Sequence, residues 1–299
     1  MISLAPLTSS SLRGGGAEHA PARELWNRSV PGYALSPGHF AANLAGGDAW
    51  VARQSGRVVG VGVGVLWPVP GETRGSLRML AVAPEARRRG VATALTDRLA
   101  DRLRQRGAST LRLAECAPVY VSPGVDERLE SGLAFARAAG FAEIGQSVHL
   151  GVDLARSDWD TAREEARLAA AAVAVRRATA ADLADLGAVL DANWPAWRPE
   201  VEIAVARGTL HLAARDGAVL GFAAHSACNA EWGWFGPMGT APAARGLGIG
   251  AVLLHRCLAD LRAAGRDRAT IAWAAALPFY ERACGAQSSH RFRRFERPL

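Results

Sequence analysis

The chain of 299 residues is about twice the length of an ordinary domain, and its 49% hydrophobic and 21% charged residues are typical of a globular protein. No run approaches the roughly 20 apolar residues of a membrane-spanning helix, and the chain start lacks the basic leader and cleavage site of a signal peptide. The four cysteines form no CxxC pair. We therefore expect two domains, reduced thiols, no metal, no membrane partner and a cytoplasmic location.

The formal charge of +7 comes entirely from arginine, because the sequence contains no lysine. A basic protein is a candidate for binding nucleic acid or an acidic substrate. Here, however, the arginines of the predicted helix over 92–106 alternate with Asp97 and Asp101. This pattern favours solvated helix faces over a continuous basic patch, so we expect no specific nucleic-acid partner.

The first half of the chain predicts strands and helices in a regular order. A strand over 1–7 is followed by a hairpin, whose strands over 49–53 and 58–66 flank a turn at Ser55-Gly56. The alternating glycines of 60–64 precede no helix, so they indicate a closely packed strand and not a nucleotide loop. An amphipathic helix over 92–106 stops at Gly107, and a strand over 110–114, a helix over 129–139 and a strand over 146–152 follow.

The second half repeats this order. A hairpin joins strands over 210–215 and 218–224 through Asp216-Gly217, and a helix over 250–264 stops at Gly265. A strand over 269–273, a helix over 277–284 and a strand over 289–295 complete it. The segment 154–172 is predicted as a helical linker, which gives domains at 1–153 and 173–299.

The strongest match between the halves is a loop between a strand and a long helix. Pro84, Arg87 and Gly90 correspond at one constant spacing to Pro242, Arg245 and Gly248. Glycines in such a loop allow a tight turn and close approach of a ligand, and the new helix offers unpaired N–H groups and the positive end of its dipole. Both loops are therefore predicted to bind an anion such as a pyrophosphate.

Two other glycine-rich phosphate sites fit less well. A dinucleotide-binding fold needs an acidic residue about 20 positions later at the end of a second parallel strand, and none is in place here. A P-loop requires a lysine, which the chain lacks.

The pattern Arg-x-x-Gly-x-[Gly/Ala] after Val-x-Pro in a strand meander resembles the GNAT acetyltransferase superfamily, and the resemblance covers nearly the whole chain. It implies two tandem GNAT-type α/β (α+β) domains, each with a mixed, mostly antiparallel central sheet flanked by helices. It also implies acetyl-CoA as acetyl donor, with no metal, and a small-molecule or peptide amine as acceptor. We expect a monomer or a homodimer.

In that family the loop amides bind the coenzyme A pyrophosphate, and the end of the preceding strand holds the pantetheine arm. The residues implied for the first half are Leu80, Ala81, Val82, Arg87, Arg88, Arg89, Gly90, Val91, Ala92 and Thr93. Those implied for the second half are Met238, Gly239, Thr240, Arg245, Gly246, Leu247, Gly248, Ile249, Gly250 and Ala251.

The resemblance also suggests catalytic residues. The amine attacks the thioester directly in a ternary complex, and Tyr280 resembles the family's tyrosine that protonates the departing thiolate. Glu231 and, in the first half, Glu115 are candidates for the base. The first half has Phe135 in place of the tyrosine, so the second half is predicted to be the catalytic one.

The sequence is compatible with three hypotheses about function: an N-acetyltransferase, a non-catalytic acetyl-CoA-binding module and a basic nucleic-acid-binding protein. The tryptophan-rich stretches over 193–197 and 232–234 suit either an acceptor wall or core packing.

Overall fold

The computed structural model describes residues 2–7, 19–69 and 71–299, which form two compact units. The first unit contains the chain up to Ser147 together with Arg291–Leu299, and the second contains Val148–His290. Met1, which the sequence places in the first predicted strand, lies outside the described residues.

The first unit is a sheet flanked by helices. Its elements are β1 (Ile2–Pro6), α1 (His19–Ser29), α2 (Pro37–Leu44), β2 (Asp48–Gln54), β3 (Arg57–Val69), β4 (Glu72–Val82), α3 (Val91–Gln105), β5 (Thr110–Leu113), β6 (Val125–Asp126), α4 (Glu130–Ala138) and the start of β7 (Ala142–Asp153). The strand order is β1-β2-β3-β4-β5, and residues of the last strand of the chain, β13 (Gln287–Pro298), pair with β5. All these neighbours are antiparallel except β4 and β5, which are parallel. The expected mixed, mostly antiparallel sheet is therefore confirmed.

The glycines that alternate along β3 let helix α3 lie close to the sheet. A Cβ atom at Gly60, Gly62 or Gly64 would meet side chains of α3 at 2.9 to 3.2 Å, among them those of Leu95 and Leu99. Larger residues would push the helix away, so the run has the packing role expected from the sequence.

The second unit has the same kind of architecture. Its elements are the end of β7, α5 (Ala162–Ala170), β8 (Ala174–Arg177), α6 (Leu183–Asn193), α7 (Arg198–Ala206), β9 (Leu210–Arg215), β10 (Ala218–His225), β11 (Trp234–Thr240), α8 (Ile249–Ala263), β12 (Arg268–Ile271), α9 (Leu277–Cys284) and the start of β13. The strand order is β7-β12-β11-β10-β9-β8, and only the pair of β11 and β12 is parallel.

Both predicted hairpins are present. Ser55 and Gly56 have φ of 49° and 78°, and Asp216 and Gly217 have φ of 51° and 79°. Two successive residues with positive φ fit the primed turn whose twist matches that of paired strands. Among the helices of the described residues, none is both long and apolar enough to span a bilayer.

The segment predicted as a linker contains α5 and packs into the core of the second unit. Leu154, Trp159 and Leu168 are buried there, and the indole Nε1 of Trp159 donates a hydrogen bond to the carbonyl of Leu154 at 3.0 Å. The division between the units falls within β7 and β13. Whether the halves fold as separate domains at 153 and 173 stays a prediction.

Candidate functional site

The two glycine loops have the same local structure. A short 3₁₀ turn starts at Pro84 and at Pro242, and the residues before the helices, Gly90 and Gly248, have φ of 77° and 85°. Glycine is required at both positions because other residues are strained in this left-handed region. No side chain caps either helix, so the amides of each first turn are left for an anion.

In the first unit, arginines flank this uncapped helix end. Arg87 donates hydrogen bonds to the carbonyls of Val82 at 3.3 Å and Ser29 at 3.1 Å, which ties the loop to the end of β4 and to α1. Arg88 and Arg89 are exposed beside it and supply positive charge.

A cavity of about 610 Å³ opens next to this loop, which is within the usual size range of small-molecule sites. Of the cofactor residues predicted in the first half, all except Arg89 line it. The other lining residues come from α1 and the segment after it, β4 and the loop after it, the end of β5, the stretch that runs through β6, and α4. The structure thus brings the predicted strand end and the predicted loop together around one space.

A tyrosine and a carboxylate meet at the wall of this cavity. The hydroxyl of Tyr33 donates to Asp126 Oδ2 at 2.5 Å, and Arg128 binds both oxygens of the same carboxylate, with Nη2 at 2.7 Å from Oδ2. Burial works to raise the pKa of Asp126, but the hydrogen bonds from Arg128 and Tyr33 outweigh it and hold that pKa below its usual value. Burial and the adjacent carboxylate raise the pKa of Tyr33 strongly. The pair is therefore an ionised carboxylate and a neutral phenol that already donates its proton.

A buried arginine lies on the same cavity wall. Arg78 donates from Nε to Cys116 Sγ at 3.2 Å and from Nη1 to the carbonyls of Asn43 and Ala45 at 3.1 and 2.9 Å. Burial raises the pKa of the Cys116 thiol, so this neighbour is neutral.

Glu115, a candidate base, is held by ion pairs. It is fully buried, Arg112 Nη1 donates to Oε1, and Arg294 Nε donates to Oε2 at 2.6 Å. Both of its oxygens are held by guanidinium groups, so its surroundings favour a structural role.

In the second unit, side chains lie against the corresponding strand and loop. The ring of Trp194 approaches to 2.6 Å of the place where a Cβ of Gly239 would be, although the matching Ala81 lines the cavity in the first unit. Arg167 Nη2 donates to the carbonyl of Leu247 at 3.1 Å and lies 2.5 Å from the Cβ position of Gly248. Trp194 also stacks on Trp197, with ring centroids 5.4 Å apart.

The catalytic candidates of the second half lie in different surroundings. Tyr280 is buried in the core of the second unit, with its ring edge-on to Phe235 and Phe279, and burial raises its pKa to about 12. Glu231 is exposed in a short 3₁₀ turn, where its backbone carbonyl accepts a hydrogen bond from Arg266 at 2.9 Å. The roles of Tyr280 and Glu231 stay predictions.

The sequence did not single out Tyr33, Arg78 or Asp126 as site residues. Asp126 ends an insertion that the second half lacks, and this difference between the halves could have marked it as a candidate site residue. Arg78 stands in an apolar strand just before Met79, and a charged residue in such a strand is a second usable signal.

Comparison with known proteins agrees with this geometry. The model of the family described as Acetyltransferase (GNAT) family matches residues 18–120 and 180–286, once in each half. The sequence matches no curated protein.

Several solved structures share the fold along the whole chain. The GCN5-related glucosamine N-acetyltransferase region of a fungal multi-domain GH3 beta-N-acetylglucosaminidase has a TM-score of 0.82 at 20% identity, covering 99% of this chain. This chain spans only 38% of that fungal protein. A tandem GNAT protein from the clavulanic acid biosynthesis pathway has a TM-score of 0.71 at 19% identity, with 100% of this chain and 98% of that chain covered. A GCN5-related N-acetyltransferase from Sphaerobacter thermophilus has a TM-score of 0.70 at 14% identity, with 99% and 95% covered.

At these identities the structures show the fold alone, whereas the family model matches most of the chain in two separate regions. This chain therefore belongs to the acetyltransferase (GNAT) family, as a tandem member.

Proposed function

We propose that this protein is an acetyl-CoA-dependent N-acetyltransferase that moves the acetyl group to a primary amine of a small molecule or peptide, by direct attack in a ternary complex. The observation that carries the proposal is the cavity of the first unit. An uncapped helix end flanked by arginines borders this cavity, and the polar pair of Tyr33 and Asp126 lies on its wall. Such a space suits a phosphate-bearing donor at one end and an amine at the other.

The surroundings of the two loops favour the first unit as the cofactor site. In the first unit, Leu80, Ala81 and Val82 line open space, so a pantetheine arm can lie along the strand end. In the second unit, Trp194 lies on Gly239 and Arg167 reaches across Gly248. The proposal therefore differs from the prediction from the sequence, which placed catalysis in the second half because of Tyr280.

In this proposal the residues of the first unit mainly position the reactants. The helix end binds the pyrophosphate, and the amine nitrogen attacks the thioester carbon. The C–S bond then breaks, the thiolate takes up a proton, and the amine loses one. Because Tyr33 already donates to Asp126, its hydroxyl is not suited to protonate the thiolate.

The alternative of a non-catalytic acetyl-CoA-binding module rests on one specific observation. The first unit has Phe135, and not a tyrosine, on the helix that lines the cavity. If no proton donor is supplied there, the unit would bind acetyl-CoA without turnover.

Two matched substitutions test the site. Gly90→Glu and Gly248→Glu place the same carboxylate at the same left-handed helix start, so the backbone strain is alike in both variants. We expect Gly90→Glu to weaken acetyl-CoA binding on the order of 100-fold, because a carboxylate would repel the pyrophosphate at close range. Gly248→Glu should leave the affinity unchanged.

Isothermal titration calorimetry with acetyl-CoA, and with NAD as a control ligand, measures these affinities. A screen of amines that detects released thiol then measures transfer. Loss of binding in Gly248→Glu alone would place the donor in the second unit. No binding of millimolar acetyl-CoA to the unaltered protein would refute the proposal.

A further inference from the structure

Arg78 is an extra residue in the pairing of its strand. Val63 of β3 pairs with Met79 and Gly64 pairs with Leu77, so Arg78 between them has no partner and forms a β-bulge. Bulges re-aim side chains and are frequent beside binding sites. Here the bulged residue is an arginine that lines the cavity although it is only 9% exposed.

The guanidinium of Arg78 has more donors than the protein uses. Of its five N–H groups, the one on Nε goes to Cys116 and those on Nη1 go to two backbone carbonyls. No described residue accepts a hydrogen bond from Nη2, which leaves two donors in a rigid, planar geometry. These two N–H groups point in different directions, so either can donate a charge-assisted hydrogen bond to one oxygen of a carboxylate.

The positive charge of Arg78 is also uncompensated within the described residues. The thiol and the two carbonyls that it touches are all neutral. Asp126 on the same cavity wall is already paired with Arg128, and Glu115, next to Cys116 in the chain, is paired with Arg112 and Arg294. Burial of an unpaired charge is costly, so the arrangement is most stable when a ligand supplies the counter-charge.

The phosphates of coenzyme A are not suited to this role. Arg78 lies four residues before Val82 on β4, which is about 13 Å along an extended strand and in the direction away from the phosphate-binding loop. An anion beside Arg78 must therefore belong to the second substrate.

We infer that the acceptor is a small amine that also carries a carboxylate, and that Arg78 binds this carboxylate through Nη2. The inference rests on the proposed acetyl transfer for the role of the amine, and the cavity wall that includes Arg78 also includes the pair of Tyr33 and Asp126. An α-amino acid or a related amino acid of similar size has both groups.

Pairs of compounds that differ only in the carboxylate test the inference on the unaltered protein. The standard α-amino acids are compared with their α-amides, both as substrates with acetyl-CoA and as ligands titrated with coenzyme A present. We expect at least one acid to exceed its amide by about 10- to 100-fold in kcat/KM and in affinity, as charge-assisted hydrogen bonds contribute. The binding measurement does not require turnover, so it separates a failure of this inference from a failure of the proposed chemistry. If every amide performs as well as its acid, Arg78 does not select a carboxylate.

Arg78→Gln and Arg78→Lys locate the effect, and Arg104→Gln, at an exposed helix position, is the matched control. Arg78→Gln should raise KM for the preferred acid by about 10- to 100-fold. It should raise KM for the amide by a clearly smaller factor, and Arg78→Lys should recover part of the loss with the acid. An equal fall of kcat for acid and amide would instead place Arg78 at the thioester and overturn the inference. If the variants do not fold, the comparison of acids and amides on the unaltered protein still decides.

Discussion

The buried carboxyl group of Glu200 should make the unfolding free energy of the second unit depend on pH. It lies in the first turn of α7, is 9% exposed, and accepts no hydrogen bond from any described residue. A helix N-terminus favours a negative charge, but burial dominates here and raises the pKa of Glu200 from 4.5 to about 7. The folded protein therefore holds this proton more tightly than the unfolded chain does.

The sign and the size of the effect follow from this pKa difference. A raised pKa contributes stability that is fully present below pH 4.5 and is lost as the pH rises towards 7. The difference corresponds to about 3 kcal/mol of unfolding free energy. Glu200→Gln keeps the shape and cannot ionise. It should therefore match the unaltered protein near pH 4.5 and be more stable by about 3 kcal/mol at pH 8.

Urea unfolding at several pH values, followed by a signal from the second unit, measures this difference. The control is Glu202→Gln on the same helix, because the Glu202 carboxylate is exposed and lies 3.9 Å from Arg198. The control should follow the unaltered protein at every pH. If Glu200→Gln and the unaltered protein have parallel pH profiles, the carboxylate is not held in an apolar environment and the reasoning is wrong.

Two further substitutions test the second unit. If the first unit holds the chemistry, Tyr280→Phe should leave acetyl-CoA turnover unchanged in a thiol-release assay, whereas a loss on the order of 10²–10⁴ would assign a catalytic acid to this tyrosine. Asp260, which accepts hydrogen bonds from His211 at 2.7 Å and His225 at 3.2 Å, has a lowered pKa, so its stabilising effect is present above pH 4 and lost on acidification. Asp260→Asn should therefore lower the free energy of unfolding by about 3 kcal/mol at pH 7 and weaken its dependence on pH at the acid end. The control Asp101→Asn, at an exposed position, should do neither, and equal effects of the two variants would contradict the prediction.

Much of the fold could be predicted because local rules determine it. The hairpin turns, the glycine that starts each long helix and the strand glycines of 60–64 all follow from backbone geometry that few residues can adopt. The structure places α3 and α8 within one residue of the predicted helices.

Strand pairing was harder to predict. Residues near the end of the chain pair with β5 in the first sheet, and residues 150–153 of β7 pair with β12 in the second. Alternation of side chains indicates that a segment is a strand and which of its faces is buried, but it does not name the neighbouring strand. No local signal in the sequence therefore predicts these two pairings.

The candidate site also depends on contacts between distant residues, which the sequence pattern does not predict. The glycine motif predicts the loop in both units, because a positive φ at Gly90 and at Gly248 is a local requirement. Whether a ligand fits depends on side chains that come from elsewhere in the chain. In the first unit they leave Ala81 at the wall of a cavity, and in the second Trp194 lies against Gly239. Two equal motifs therefore do not imply two equal sites, and the tryptophans of 193–197 matter here as packing. We therefore place acetyl-CoA in the first unit, although it lacks the tyrosine found in the second. A titration that counts bound acetyl-CoA should find one molecule per chain.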